Sequence, residues 1–222
     1  MQGIIRIAID GPAGAGKSTI AKALASKLGI DYIDTGAMYR ALAVKILCAG
    51  VDLGDAEGMD ALLQGTDVSY DRGRVFLDGS DVSSIIRLAA VTKMSSDCSA
   101  LPAVREKLVA LQQAMARRKS MVMDGRDICS KVLPDAEFKF FLTASSDVRA
   151  ARRVKELEEK GEHPDFESIK AAIELRDYQD THREHSPLVK TEDAIEVDSS
   201  NLGIDSVVEL FMSHINKRKE DV

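Results

Sequence analysis

Residues 7–20 read IAIDGPAGAGKSTI. A short β-branched run ends at Asp10-Gly11, and a glycine-rich turn follows before Lys17 and Ser18. Gly11, Pro12, Ala13, Gly14, Ala15, Gly16, Lys17 and Ser18 satisfy G-x-x-x-x-G-K-[ST] at every fixed position. Glycines in this pattern let the backbone wrap an anion, so that successive N–H groups converge on phosphate oxygens. The helix that follows adds the positive end of its dipole. Lys17 can reach the β- and γ-phosphates of a nucleoside triphosphate, and the Ser18 hydroxyl can hold Mg²⁺. The stretch predicts a strand, a phosphate-binding loop and a helix. It leaves the phosphoryl acceptor open: water, a protein or a small molecule.

Outward from the loop, Ile20, Leu24 and Leu28 recur every four residues, which predicts a helix closed by Gly29. A second helix is predicted over residues 37–49, closed by Gly50. Residues 68–82, VSYDRGRVFLDGSDV, differ in texture: two short β-prone runs with Arg-Gly and Asp-Gly between them, a small hairpin inserted into an α/β chain. Pro102 suits the first turn of a helix whose buried stripe is Val104, Leu108, Leu111 and Met115. MVMDGRD and EFKFFLTA read as strands. Ser145 caps a charged helix over 147–160, and GEHPDF is a polar loop. A helix over 167–182, a strand AIEVD and a last helix from 204 to about 217 follow, and the tail KRKEDV is expected to fray. Strands alternating with helices imply a mostly parallel sheet covered on both faces.

Composition narrows the function. At 222 residues, 45% apolar and 30% charged, the chain suits one α/β domain with small insertions. Trp is absent and aromatics make up 5%, so aliphatic side chains and Met must fill the interior. A net charge of −6 argues against a protein that coats nucleic acid. Cys48, Cys98 and Cys129 form no CxxC pair, which predicts reduced thiols rather than a disulfide framework or zinc site. The first apolar run is interrupted by Arg6 and ended by Asp10, unlike a signal peptide, and no stretch approaches a membrane span, so a cytoplasmic protein is expected.

Three segments bear on the acceptor. Asp55-Ala-Glu-Gly58 has the letters of a GTPase D-x-x-G, but no Asn-Lys-x-Asp follows to read guanine. DTGAMYR, residues 34–40, opens a helix with Thr35 and Gly36 and carries Arg40 a turn later. DGRD, residues 124–127, lies at the carboxyl end of a predicted strand, where open α/β sheets place ligand-binding groups. Asp124 there can organise a Mg²⁺ water shell or serve as a structural strand end. RDYQDTHR places Arg176, Asp180 and Arg183 on one helical face, where they can pair among themselves or meet an anion. Arg149, Arg152 and Arg153 also share a face, with Glu156 four residues beyond Arg152. His182 and His185 read as a solvated helix end, and Cys129 as a passive thiol.

These segments, in this order, resemble the bacterial cytidylate kinases, within the P-loop nucleoside monophosphate kinase group. The likeness is carried by IDGPAGAGKST, DTGAMYR, the hairpin ending LDGSDVSSIIR, VREKL, DGRDI, PDAEFKFFL, RAARR, RDYQDTHR and PLV, nearly end to end. It implies a three-layer α/β/α P-loop fold over 1–222, with a monophosphate-binding region at 35–100 holding the inserted hairpin and a helical lid at 149–165. It implies ATP-dependent phosphorylation of CMP and dCMP by a monomer; a kinase for another nucleotide or metabolite, or a slowly hydrolysing switch, are the alternatives. By matching position, Ser96, Arg105 and Asp127 would read cytosine, and Arg40, Arg126 and Arg183 would hold the monophosphate. Thr35, Arg176 and Asp180 would touch the ribose. The loop from Gly11 to Thr19 would hold ATP, with Ser18 on Mg²⁺, and Arg149, Arg152 and Arg153 would close over it. Lys17, Arg126, Arg152, Arg153 and Arg183 would carry the transfer. The family commonly has Ser in place of Thr35, and often Gly-Thr after GRD where this chain has Cys129-Ser130-Lys131.

Overall fold

The computed structural model describes residues 4–220. Strands β1 (Arg6–Asp10), β2 (Asp31–Asp34), β6 (Met121–Gly125), β7 (Phe138–Thr143) and β8 (Ile195–Asp198) form one sheet in the order β2-β6-β1-β7-β8, with every pairing parallel. Strand periodicity divides the core into two layers. Ile7, Ile9, Val122, Phe138, Phe140 and Leu142 face helices α1 (Lys17–Leu28) and α8 (Ile204–Glu220). Ala8, Met121 and Met123 face α2 (Thr35–Ala49) and α5 (Pro102–Ala116) across Met38, Leu42, Val104 and Leu108. The result is the α/β/α sandwich expected from alternating elements.

Local signals held where they were strong. Gly29 and Gly50 end α1 and α2 in the left-handed conformation. Pro102 opens α5, and the Ser145 hydroxyl accepts from Val148 N at the start of α6 (Ser146–Glu158). The insertion is three-stranded: β3 (Val68–Asp71), β4 (Arg74–Leu77) and the short β5 (Ser80–Asp81). Arg72 and Gly73 both have positive φ at the first turn, as do Asp78 and Gly79 at the second, the geometry that suits a twisted two-residue hairpin. Val68 and Val75 bury against the α2 side of the core, so the insertion shares that core.

Two helices lay outside the sequence reading. α3 (Ala56–Gln64) begins where the GTPase-like letters stand: the Asp55 carboxylate accepts from Gly58 N and caps the helix. α4 (Ala89–Cys98) turns its inner face through Val91, Ser95 and Cys98, and the serine interrupts the apolar stripe that would have marked it. In α5, Leu111 and Met115 are only partly buried, at the margin of the stripe. α8 runs on to Glu220, past the expected end near residue 217; of the tail expected to fray, residues 221–222 lie outside those described. All three cysteines are free thiols, Cys98 and Cys129 buried. Among the described residues no helix is long and apolar enough to cross a membrane.

With few aromatics available, one pair fastens the C-terminal helix to the sheet. The rings of Phe140 on β7 and Phe211 on α8 stack 3.9 Å apart, 8° from parallel, and both are fully buried. Phe211→Ala should lower unfolding stability by about 3–5 kcal/mol, read from urea denaturation; a loss below about 1 kcal/mol would mean that α8 is held elsewhere.

Candidate active site

Parallel pairing brings the carboxyl ends of β1, β2 and β6 level: Ile9 and Asp34 both lie opposite Asp124. From β1 the chain enters the phosphate loop. A side chain at Gly11 would collide with the Leu142 carbonyl, so the loop can start this close to β7 only without one. Gly14 and Gly16 take positive φ, 76° and 92°, and turn the backbone amides inward. The Asp10 carboxylate, fully buried, accepts from Ile128 N at 2.9 Å and Cys129 N at 2.7 Å. Burial pushes its pKa up to about 6, against the pull of those two amides. The amides belong to a π-helical turn, Ile128–Val132, so the replacement of Gly-Thr by Cys129-Ser130-Lys131 is accommodated in a turn tied to the loop. Cys129 is buried there, and burial raises its thiol pKa, in keeping with a passive thiol.

Lys17 is buried and folded back, its Nζ donating to Pro12 O at 2.7 Å. Burial, with Arg126 nearby, holds its pKa well below the usual lysine value. Ser18 Oγ donates to Asp124 Oδ2 at 2.9 Å, and Tyr32 Oη donates to Asp124 Oδ1 at 2.8 Å. Burial and Asp34 raise the Asp124 pKa to about 6. A hydroxyl beside one carboxylate is the donor set of a hard cation that arrives with phosphates and keeps its waters. Among the described residues no group of three or more His, Cys, Asp or Glu could cage an ion. The Ser18 hydroxyl and the Asp124 carboxylate are the residues present that fit a Mg²⁺ ion.

Opposite the loop lies a pocket of arginines. Asp180, on α7 (Phe166–His182), accepts from Arg126 Nε at 2.8 Å, with Arg183 Nη1 at 3.8 Å and Arg176 Nε at 4.0 Å. Burial would raise the Asp180 pKa, but Arg126, Arg176 and Arg183 outweigh it and hold it low. Arg176 is lowered by burial and by the nearby cations of Arg126 and Arg40. Arg183 is lowered by burial and by Arg105. Arg40 pairs with Asp34 at 3.2 Å, and Asp34 also caps α2. Deeper in, Arg105 and Asp127 form an ion pair, each 4% exposed, and Arg105 Nη1 donates to Ser99 O. Arg105 also lies 5.7 Å from the centre of the Tyr39 ring.

Several buried polar atoms in this pocket make no hydrogen bond: Arg40 Nε, Arg105 Nε, Arg176 Nε, Arg183 Nη2 and Tyr39 Oη. Such atoms are rare in folded proteins and mark places where a ligand completes the network. Sequence reasoning missed Tyr39, although it stands next to Arg40 in DTGAMYR; an aromatic within an apolar helix stretch reads as core. Tyr32 was passed over because it lies in the short strand DYID, where nothing local points to Asp124.

Other expected site residues sit differently. The Thr35 hydroxyl, expected on a sugar, is buried and donates to Asp124 O at 2.6 Å, binding α2 to β6. Gly125 makes room for it, since a Cβ there would meet Thr35 Oγ1 at 2.7 Å. Asp180, also expected on the sugar, serves as counter-ion to the arginines. Ser96 is half-buried on α4, its carbonyl accepting from Ser99 Oγ. Thr19 is exposed on α1. Arg149, expected to face ATP from a lid, is buried: it donates to Ala144 O and Ala13 O and pairs with Asp177 at 2.6 Å, bracing the loop from behind. Arg152 lies over the loop, donating to Ser199 O at 2.7 Å, with Ala15 O at 3.5 Å. Glu156 pairs with Arg153 rather than Arg152, at 3.0 Å and largely in solvent.

A phosphate loop at the carboxyl edge of a parallel sheet, facing arginines that keep buried N–H groups without a hydrogen bond, defines a P-loop phosphotransferase. The fold is similar to that of a gluconokinase from Sinorhizobium meliloti 1021, with TM-score 0.51 and 16% identity over 100% of this chain and 97% of that one. The chain belongs to the cytidylate kinase family, whose model, described as "Cytidylate kinase", matches residues 7–217. It is 50% identical to a cytidylate kinase of Caldanaerobacter subterraneus subsp. tengcongensis over 96% of this chain and 95% of that protein. It is 47% identical to one of Lactobacillus johnsonii over 98% and 96%.

The two neighbouring arginines of α6 separate bracing from surface charge. Arg149→Ala should cost about 3–5 kcal/mol by leaving Asp177 unpaired and the loop carbonyls undonated. Arg153→Ala should stay within about 0.5 kcal/mol of wild type in the same denaturation experiment. Equal effects would remove the distinction.

Proposed function

We propose that the chain transfers the terminal phosphoryl group of ATP to CMP and dCMP, as a cytoplasmic monomer. The observation that carries this reading is the set of buried donors without hydrogen bonds, Arg40 Nε, Arg176 Nε, Arg183 Nη2 and Tyr39 Oη, clustered with the buried Arg105–Asp127 pair. A nucleoside monophosphate would satisfy both ends, its phosphate on the guanidinium groups and its base on the pair.

A phosphate monoester is already anionic near neutral pH, so its attack requires no general base. The barrier comes from bringing two anions together, and the residues needed are those that neutralise, align and exclude water. Guanidinium groups bind phosphate in pairs of parallel hydrogen bonds. Arg126 and Arg183 exchange Asp180 for the acceptor phosphate, and Arg40 reaches it from α2. Lys17 leaves the Pro12 carbonyl for the transferring group. The amides of Gly11–Thr19 hold ATP. Ser18, with the water shell that Asp124 can organise, would hold Mg²⁺, which would supply charge neutralisation on the phosphates. Residues 35–100 form the acceptor-binding region and 149–165 the lid, with Arg152 and Arg153 closing on ATP as Arg149 anchors the hinge side. Gly161, at φ 81°, lies between α6 and α7, where a closing motion requires freedom.

Base choice rests on Asp127, Arg105 and Ser96. A carboxylate accepts from the N4 amino group of cytosine and repels O4 of uracil. A guanidinium donates to cytosine N3 and O2 but meets an N–H at uracil N3. Arg176 would contact the sugar, with Thr35, its hydroxyl given to the Asp124 carbonyl, holding the start of α2.

Lys17→Met should reduce turnover by orders of magnitude with an unchanged melting temperature; near-normal turnover would remove Lys17 from the reaction. A panel of nucleoside monophosphates with ATP·Mg²⁺ should show ADP release that depends on CMP or dCMP, whereas a switch would release ADP regardless of acceptor. Asp127→Asn keeps a polar group against buried Arg105. It should lower kcat/KM for CMP about ten- to a hundredfold, and that for UMP much less. Equal losses would mean that Asp127 does not read the base.

A further inference from the structure

Asp124 presents one oxygen to the phosphate loop and the other to Tyr32. Oδ2 takes the Ser18 hydroxyl, while Oδ1 takes the Tyr32 hydroxyl at 2.8 Å. Tyr32 stands on β2, the edge strand, two residues before the level of Asp124. Lys17 attracts the same carboxylate and Asp34 repels it. The tyrosine hydroxyl therefore decides where the carboxylate rests between competing charges.

The Tyr32 ring is itself held from outside the sheet. Tyr70, on β3 of the inserted hairpin, meets it edge to face at 6.1 Å and 87°. Lys22 Nζ, on α1, lies 5.7 Å from the centre of the ring. Tyr32, Tyr70 and Lys22 line a cavity of about 220 Å³, shared with Arg72 and Lys119.

We infer that Tyr32 is a positioning residue for the metal side of the reaction, which holds Asp124 toward Ser18 and ties that carboxylate to the inserted hairpin through Tyr70. The inference rests on the phosphotransferase reading above and names a residue that supports the metal without touching it. Outer hydrogen bonds of this kind orient the groups around a metal, and their loss commonly costs ten- to a hundredfold in metal affinity. The hairpin belongs to the acceptor-binding region, so its seating and the metal's seating are mechanically linked by two tyrosine rings.

The test measures ATP affinity by calorimetry with Mn²⁺ and again with EDTA, in wild type, Tyr32→Phe, Tyr70→Leu and the double variant. Tyr32→Phe keeps the ring and removes only the hydroxyl. Its Mn²⁺-to-EDTA affinity ratio should fall about tenfold, with the EDTA value and the KM for CMP unchanged. Tyr70→Leu should lower the ratio in wild type but have no further effect beside Tyr32→Phe. An unchanged ratio in Tyr32→Phe, or an equal loss with EDTA, overturns the positioning role. Additive losses in the double variant overturn the link to the hairpin. Wild type that binds ATP in neither condition overturns the phosphotransferase reading itself, and the two failures are thereby told apart.

Discussion

Charge at the carboxyl edge of the sheet is buried, and a buried charge must find a partner or change its protonation. Asp10, Asp124 and Lys17 are each less than a tenth exposed. Asp10 meets two backbone amides, Asp124 two hydroxyls, and Lys17 a carbonyl. The contacts of the two aspartates join segments distant in the chain, while that of Lys17 closes the phosphate loop on itself. The phosphate loop, the π-helical turn and the edge strand are consequently positioned by one set of polar contacts. The apolar layers above and below supply the stability that pays for that burial.

The arginine pocket follows the same constraint on the acceptor side. One carboxylate, Asp180, faces Arg126, Arg176 and Arg183, and Arg40 turns to Asp34. Three cations around one carboxylate leave positive charge in excess there, which supports the acceptor site proposed above. It also explains why α7 buries no residue fully: the helix is held by charge and by its packing on α6. An element held that way can move when a phosphate replaces the carboxylate, since little apolar area is uncovered.

Much of this was legible in the chain. The phosphate loop is contiguous, so its glycines, Lys17 and Ser18 declare themselves by spacing. The hairpin turns Arg72-Gly73 and Asp78-Gly79 follow from local backbone preference. The α1 and α5 stripes follow from helical periodicity. α4 was hidden because Ser95 stands on its inner face, and α3 because Asp55 and Gly58 spell a nucleotide-binding motif while acting as a helix cap. Letters alone do not distinguish the two uses of an aspartate that accepts from an amide.

The sequence by itself therefore determined the class of fold, the phosphate loop and the family, because those rest on short-range spacing and on the order of segments. Only the tertiary structure decided how each charge is partnered. Glu156 takes Arg153 and not Arg152, Arg149 pairs with Asp177 and donates to the loop carbonyl of Ala13, and Thr35 donates to the Asp124 carbonyl. Tyr32 reaches Asp124 across 92 residues of chain. The physical reason is register: parallel strands joined by long crossovers bring Asp34 and Asp124 level, and that alignment is set by packing of the layers, which no local pattern encodes.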